Sequence, residues 1–188
     1  PYLSGALDEF IGSRQWVPLL ETNRGCPFHC TFCVWGIATM DKVRVFPLDR
    51  VLEEIRFLAK RSPSPRWMFA DANFGMLKRD LEIAQEIRRV ADKHGTLRTT
   101  YLFWAKNSSR ITVEIARTFG SMADPTAAVQ TMDDAVLKNI KRDNISLDAY
   151  KGINASLAAQ GRSQEAELIV PLPGETLESY LKGLKGLM

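Results

Sequence analysis

Cysteine is scarce in this sequence, and several other absences narrow the class of protein. Only three cysteines occur among the 188 residues, all within one eight-residue stretch. An odd number of cysteines spaced so closely is poorly suited to a set of disulfide bonds. This favours a location in the reducing cytoplasm. No apolar run approaches the length of a membrane span and no signal-peptide pattern opens the chain, so we expect no membrane partner. The net charge of +3 is too small to indicate a nucleic-acid partner.

The basic residues are scattered among acids, a pattern that we interpret as solvated helix faces. The clearest example mixes bases and acids within eleven positions: Asp133, Asp134, Lys138, Lys141, Arg142 and Asp143. The chain begins at Pro1 and stops at Met188 without an obvious tail. We interpret it as a piece of a longer polypeptide.

Short β-type runs alternate with longer amphipathic stretches along the whole chain. The β runs are 16–21, 66–71, 97–105, 127–131 and 166–170, and the predicted helices are roughly 47–60, 77–94, 112–119, 133–141, 146–160 and the segment after Thr176. The second β run is apolar nearly throughout, which is typical of a strand buried on both faces. Crossovers long enough for a helix favour parallel strands with right-handed connections. The sequence therefore predicts an α/β fold, a partial (β/α) barrel truncated after about five units, with its chemistry at the carboxyl ends of the strands.

The three cysteines follow the first β run in the stretch RGCPFHCTFC, at Cys26, Cys30 and Cys33. Thiolates at this C-x3-C-x2-C spacing can surround one centre, and as soft ligands they favour iron–sulfur clusters, zinc or copper. A [4Fe–4S] cluster normally takes four cysteines. With three, one iron is left open to a small molecule, as in catalytic rather than structural metal centres.

Three other interpretations of the cysteines stay open from the residues alone. The thiols could be reduced and unliganded, although buried structural cysteines rarely cluster in one loop. Zinc could use His29 as a fourth ligand in a binding module without catalysis, although zinc sites usually comprise two separated ligand pairs. A plain electron-transfer cluster protein is the third.

The stretch CPFHCTFC resembles the C-x3-C-x-aromatic-C signature of the radical SAM superfamily. Two flanking stretches are also similar to that family: VQTMDDAVLKNIKR around the fourth β run, and ELIVPLPGET at the fifth. The resemblance covers about 16–182. The opening PYLSGALDEF is similar to the linker that enters the radical domain in members with an upstream cobalamin-binding domain. These two resemblances imply a linker at 1–15 and a radical SAM core domain at 16–188 that is incomplete at its carboxyl end.

Membership would imply a [4Fe–4S] cluster held by Cys26, Cys30 and Cys33, with S-adenosylmethionine chelating the fourth iron. One electron then cleaves the sulfonium carbon–sulfur bond, and the deoxyadenosyl radical serves hydrogen abstraction or methyl transfer on a substrate that the sequence does not identify. The implied partners are that substrate and a reductase or a flavodoxin- or ferredoxin-type electron donor. Cobalamin would belong to the full-length protein.

The resemblance also implies roles for residues in the first three β/α units. Phe32 corresponds to the position beside the adenine, with loop packing as its alternative. Asp71, Asn73 and Gly75 lie in the loop whose backbone holds the methionyl amine, although DANFG departs from the family's common Gly-Gly-Glu pattern. Lys106, just past the third run, is a candidate partner of the methionyl carboxylate, with a surface lysine as its alternative.

Further candidates lie at the fourth and fifth runs. Gln130 and Thr131 stand where the family presents polar side chains to the ribose and carboxylate. Val170 and Leu172 would line the adenine, while Pro171 replaces a glycine that is frequent there and removes a backbone donor.

Two structural roles complete these expectations. Gly174 and Glu175 are expected to shape the turn after the fifth run. We interpret Arg24, just before the cysteines, as a member of a structural ion pair.

Overall fold

The computed structural model describes residues 1–36, 42–105, 110–159, 161–162 and 164–188. Its α-helices are α1 (Asp8–Ile11), α2 (Leu48–Arg61), α3 (Arg79–His94), α4 (Arg110–Phe119), α5 (Asp134–Asn139), α6 (Leu147–Ala158) and α7 (Leu177–Leu187). Its strands are β1 (Leu19–Leu20), β2 (Asn23–Arg24), β3 (Arg44–Val45), β4 (Arg66–Phe69), β5 (Thr99–Tyr101), β6 (Thr126–Gln130) and β7 (Glu165–Leu168). None of the described helices combines the length and hydropathy that a bilayer crossing demands.

The strands that alternate with helices are parallel, which confirms the predicted α/β fold. One sheet has the order β1-β4-β5, and β6 pairs with β7 in a second ladder. Within the described ranges no ladder joins β5 to β6. Side chains bridge that gap instead, since the Thr100 hydroxyl lies 3.4 Å from the Met122 carbonyl and the Trp104 indole N–H donates to the Asp124 carbonyl at 3.1 Å. The architecture is a partial barrel with an open inner face.

The strands in the first and third predicted β runs are much shorter than the sequence predicts. The first run, 16–21, contains a strand only at Leu19–Leu20, and Pro18 just before it has no N–H to donate to a ladder. The run 97–105 contains β5 and, beyond it, one isolated parallel bridge between Phe74 and Trp104. The irregular stretch after β5 lies at the carboxyl end of that strand, and residues 16–18 lie at the amino end of β1.

A small antiparallel pairing that the sequence does not signal brackets the cysteine stretch. Asn23 pairs with Val45 and Arg24 with Arg44, so that β2 and β3 form a two-stranded ladder. The chain leaves this ladder immediately before the first cysteine and returns to it afterwards. The cysteine loop is therefore tied at both ends to the same short ladder.

The main core lies between the outer face of β1-β4-β5 and helices α2, α3 and α4. In β4 the buried side chains alternate, with Trp67 and Phe69 on the helix-covered face. The prediction that this strand is buried on both faces is wrong. Met68 is 36% exposed and Tyr101 is exposed on the next strand, because these side chains face the open interior of the partial barrel.

The first fifteen residues pack against the base of the sheet. The Tyr2 hydroxyl donates to the Leu19 carbonyl at 2.8 Å, and the Leu19 N–H donates back to that hydroxyl at 2.9 Å. Tyr2 and Ile11 are buried in the main core, and Asp8 pairs with Arg61 of α2. The predicted linker is thus part of the packed structure, and its connection to an upstream domain stays a prediction.

A buried carboxyl shapes the loop between β4 and α3. Asp80 accepts hydrogen bonds from the N–H groups of Gly75, at 2.8 Å, and Leu77, at 3.0 Å, through one oxygen. Gly75 has φ +95°, and a Cβ there would lie 3.1 Å from the Thr112 hydroxyl, so only glycine fits without strain. Burial raises the pKa of Asp80 to about 6, against the opposing effect of these two donors.

This raised pKa predicts how stability changes with pH. Between about pH 4 and pH 6 the folded protein keeps a proton on Asp80 that the unfolded chain has released, so this carboxyl lowers stability as the pH rises through that window. Asp80→Asn keeps an acceptor oxygen and removes the charge. We expect its free energy of unfolding to rise relative to wild type by up to about 3 kcal/mol near neutral pH, at about 1.4 kcal/mol per pKa unit.

Thermal unfolding across that pH window measures the difference. Asp92→Asn, which changes an exposed acid on the same helix, is the control and should show no such trend. A difference between Asp80→Asn and wild type that stays constant with pH would contradict the assignment.

Candidate functional site

The cysteine loop lies at the carboxyl end of β1, where the partial-barrel fold places its chemistry. Gly25 has φ +103° and turns the chain into the loop. Cys26 and Cys30 are buried and Cys33 is half-buried, and the Cys33 N–H donates to the Cys30 carbonyl at 3.0 Å in a tight turn. All three are thiols without a disulfide.

The three sulfurs do not converge on one ion position. In the described ranges no group of three or more His, Cys, Asp or Glu side chains could hold a single metal ion, and His29 is exposed. A zinc site needs four ligands around one ion. A cubane attaches each thiolate to a different iron, so its ligands need not approach a common point.

Asp71 anchors the start of the loop. Its carboxylate accepts hydrogen bonds from the Thr22 N–H at 2.6 Å, the Thr22 hydroxyl, the Asn23 N–H at 3.2 Å and the Asn23 side-chain amide at 3.1 Å. Burial raises the pKa of this carboxyl, and the hydrogen bonds from Thr22 and Asn23 oppose that rise. These contacts favour a positioning role, and a direct contact between Asp71 and a cosubstrate stays a prediction.

Asn73 connects the loop after β4 to a cysteine. Its side-chain amide N–H donates to Cys26 Sγ at 3.2 Å, and the residue is almost fully buried. Its amide oxygen has no partner among the described residues. A buried carbonyl oxygen without a donor is costly, so this atom is available to a ligand. Gly75, two residues later, contributes its N–H to Asp80 instead.

Gln130 ends β6 in a strained conformation. Its φ is +65°, and the Thr131 N–H donates across it to the Val129 carbonyl at 2.8 Å in a three-residue turn. Such strain is characteristic of functional edges. The neighbouring Thr131 hydroxyl donates to Glu175 at 2.6 Å, so its predicted contact with a ribose or carboxylate would require a change of partner.

The segment after β7 contains one exposed candidate residue and one buried candidate residue. Val170 is 60% exposed and remains available to pack against a ring. Leu172 is buried in a small cluster with Val136 and Ile140 of the neighbouring segment, which favours a packing role. Glu175 accepts from the Leu172 N–H at 3.4 Å and from Thr131, in agreement with its expected role in the turn.

The remaining sequence candidates differ in how far the structure describes them. Phe32 is 39% exposed beside the last two cysteines, so its ring is accessible. Lys106 lies outside the described residues. Arg24 pairs with Glu21, with its Nε at 2.8 Å from a carboxylate oxygen, which confirms the expected structural ion pair.

Arg142 is the site residue that sequence reasoning missed. The expectation that it lies on a solvated helix face is wrong, because only 5% of the residue is exposed. Its Nη1 lies 3.7 Å from Cys30 Sγ, its Nε donates to the Asn144 side-chain oxygen at 2.8 Å, and its Nη2 donates to the Ala128 carbonyl. Nothing in the local charge pattern distinguishes it from Lys141, which is exposed.

The arrangement suits a negatively charged centre. Two of the three sulfurs receive a buried N–H donor, one neutral from Asn73 and one cationic from Arg142. Donors of this kind stabilise thiolates and tune iron–sulfur centres. A groove of about 610 Å³ lies between β5 and β6, with Tyr101, Phe103 and Glu167 in its wall, and none of its lining residues belongs to the cysteine loop. The donor set around Cys26 and Cys30 fits a [4Fe–4S] cluster.

Comparisons with known proteins agree with this geometry. The chain is 36% identical over its whole length to the cobalamin-dependent radical SAM methyltransferase TokK of Streptomyces tokunonensis. It is equally similar to the 2-(S-pantetheinyl)-carbapenam-3-carboxylate methyltransferase of Streptantibioticus cattleyicolor. It spans only 29% of the length of each of these relatives.

A solved structure shares the fold. The radical S-adenosylmethionine methyltransferase TsrM of Kitasatospora setae, bound to tryptophan and a SAM analogue, superposes with a TM-score of 0.74 at 16% identity. That match covers 93% of this chain and 34% of TsrM. The profile of the radical SAM superfamily matches residues 20–184. The chain belongs to the radical SAM superfamily, the enzyme family that uses a [4Fe–4S] cluster and S-adenosylmethionine.

Proposed function

We propose that this chain is the radical-generating core of a cobalamin-dependent methyltransferase. The observation that carries this proposal is the 36% identity, over the whole chain, to two radical SAM methyltransferases. The substrate class that we propose is a small carboxylate-bearing molecule related to the pantetheinyl carbapenam in the name of the second relative. Cobalamin would be held outside these residues, by an upstream domain that segment 1–15 joins to the core domain.

In this proposal the cysteine loop holds the cluster. Cys26, Cys30 and Cys33 are the ligands, and the bound cluster supplies the electron that cleaves S-adenosylmethionine. The half-buried position of Cys33 and the accessible ring of Phe32 support an open side of the loop there. The electron would come from a reductase or a flavodoxin- or ferredoxin-type donor, and three reduced thiols suit a cytoplasmic location.

The cosubstrate would be held by the strand ends around the loop. The unpartnered amide oxygen of Asn73 suits the methionyl ammonium, because a cationic donor satisfies a buried oxygen well. Phe32 and Val170 present exposed apolar surface suited to the adenine. Gln130 would offer its amide at the end of β6, and Lys106 would pair with the methionyl carboxylate.

Three further candidates would act mainly through their neighbours. Asp71 holds the chain that leads into the cysteine loop, and Thr131 holds the turn at Glu175. Leu172 packs beneath that turn. Gly75 contributes the left-handed conformation that lets the loop after β4 pass α4 closely. These contacts support a rigid frame around the cosubstrate.

The cluster assignment is tested by cysteine substitution. Cys30→Ala should remove most of the iron and sulfide that the wild-type protein retains after anaerobic reconstitution, because a cluster with two protein ligands is poorly held. His29→Ala is the matched control within the same loop and should retain a normal content. An intact cluster in Cys30→Ala would refute the ligand set, and stoichiometric zinc that is lost in His29→Ala would favour the zinc module.

The role of Asn73 is tested by cosubstrate binding. Asn73→Ala should weaken the affinity for S-adenosylmethionine about tenfold or more, since a hydrogen bond to a charged group contributes roughly 1.5–3 kcal/mol. Binding is measured by calorimetry on cluster-loaded protein with confirmed iron content. Asn139→Ala, which removes an exposed amide that donates to the Pro173 carbonyl, should bind normally. Equal affinities in both variants would exclude the contact.

The reaction itself is tested with the full-length protein. Cluster-loaded and supplied with cobalamin, a reductant and S-adenosylmethionine carrying a labelled methyl group, it should form deoxyadenosine and transfer the label to the pantetheinyl carbapenam carboxylate. Mass spectrometry detects both products. If deoxyadenosine forms without any labelled product, the proposed radical chemistry stands and the proposed substrate is wrong. Absence of deoxyadenosine from protein with an intact cluster would reject the radical-generating role.

A further inference from the structure

We propose that Arg142 sets the reduction potential of the cluster by donating a charged hydrogen bond to Cys30 Sγ. This inference rests on the proposed cluster ligands and adds a residue that acts on the reaction through one of them. Arg142 is a positioning residue in this sense, because its guanidinium contacts the sulfur of Cys30 and no reacting atom.

The charge of Arg142 has no carboxylate partner. Its side-chain donors go to a sulfur, a backbone carbonyl and an amide oxygen, and the ion pairs of the described ranges do not include it. A buried guanidinium without a negative partner is strongly unfavourable. Among the groups that Arg142 contacts in the described ranges, Cys30 Sγ is the one that would carry negative charge as a cluster ligand.

The fold holds the guanidinium in one orientation. Asn144 accepts from Arg142 Nε, and its own amide nitrogen donates to the Val129 and Thr131 carbonyls at 2.7 and 2.8 Å. Arg142 Nη2 donates to the Ala128 carbonyl in β6. Two of the three guanidinium nitrogens are thus fixed to β6 and its turn, which leaves Nη1 directed at the sulfur.

The end of α5 brings this arginine to the cysteine loop. Lys141 adopts φ +51°, and the Arg142 N–H donates to the Leu137 carbonyl at 3.0 Å, which closes the helix with a left-handed turn. The Ile140 carbonyl just before that turn accepts from the Thr31 N–H at 3.0 Å. The turn after α5 therefore contacts two adjacent residues of the cysteine loop. It contacts Thr31 through a backbone carbonyl and Cys30 through a side chain.

The sign of the effect follows from electrostatics. Reduction adds negative charge to the cluster and its sulfurs, and a cationic donor in a buried, weakly screened position stabilises that charge. Hydrogen bonds to the sulfurs are among the factors that set the potential of iron–sulfur clusters. Removing the cation should make the cluster harder to reduce, and hence slow the electron delivery that cosubstrate cleavage needs.

The test compares potentials in full-length protein after reconstitution. Arg142→Gln removes the positive charge. Arg142→Lys keeps a positive charge but replaces the planar guanidinium with an ammonium group. Midpoint potentials are measured by stepwise reduction, with the electron paramagnetic resonance signal of the reduced cluster as the readout. We expect Arg142→Gln to lower the one-electron reduction equilibrium constant at least about tenfold, a shift of about 59 mV, and Arg142→Lys to lower it less.

Arg162→Gln is the control. Arg162 is another largely buried arginine, with its donors on the Ala116 carbonyl at 3.0 Å, the Ala123 carbonyl at 2.6 Å and Asp124. Its loss should leave the potential unchanged. A shift of equal size in the control would mean that any lost buried arginine perturbs the cluster, and would overturn the assignment to Arg142.

The remaining outcomes separate this inference from the proposed function. An unchanged potential in Arg142→Gln with full iron content overturns it. If that variant loses its cluster, Arg142→Lys decides: a lowered potential supports the inference, and an unchanged one overturns it. Loss of the cluster in both variants assigns Arg142 to assembly and also overturns the inference. Failure of the wild-type protein to hold a cluster would instead refute the proposed function.

Discussion

The functional edge of this fold depends on the hydrogen bonds that one buried carboxylate accepts. Asp71 directly follows the second parallel strand, where burial makes its charge unfavourable unless donors surround it. Those donors are the backbone and side chains of Thr22 and Asn23, which lead into the cysteine loop. Because the carboxylate must be satisfied, the position of the loop's first residues relative to the sheet is determined by the same interaction. The position of the cysteine loop relative to the sheet follows from that requirement.

The far side of the loop is supported by a different strand. The turn after α5 contacts Thr31 through the Ile140 carbonyl and Cys30 through Arg142, and Asn144 connects this turn to the end of β6. The loop thus spans from the first sheet to the second ladder, across a region in which the described strands form no hydrogen bonds to one another. Contacts made by the loop therefore help to hold the two parts of the open barrel in register.

Structural elements that follow from periodic sequence patterns could be predicted, whereas single contacts between residues far apart in the sequence could not. The helix predicted at 47–60 is present as α2, and its apolar residues Leu52, Ile55, Leu58 and Ala59 are buried, because helical period and burial are directly linked. The cysteine spacing and the order of the motifs identified the family. The two-residue strands β2 and β3 carry no periodicity, and Met68 looks like a core residue because the sequence does not show that the inner face is open. Arg142 sits in a mixed run of charges, so only its three-dimensional surroundings distinguish it.

The electrostatic surroundings differ among the three sulfurs, so the buried side of the loop differs from its exposed side. Cys26 is buried against the neutral amide of Asn73, Cys30 is buried against a cation, and Cys33 is half-exposed beside Phe32. The nearby acids Asp71 and Asp80 accept hydrogen bonds from N–H groups of the neighbouring loops, which compensate their negative charge. Negative charge is therefore stabilised most strongly on the buried side of the loop, through protein donors that are already oriented. On the exposed side, at Cys33, the described residues place no such side-chain donor on the sulfur, which is why the proposed approach of the cosubstrate is assigned to that side.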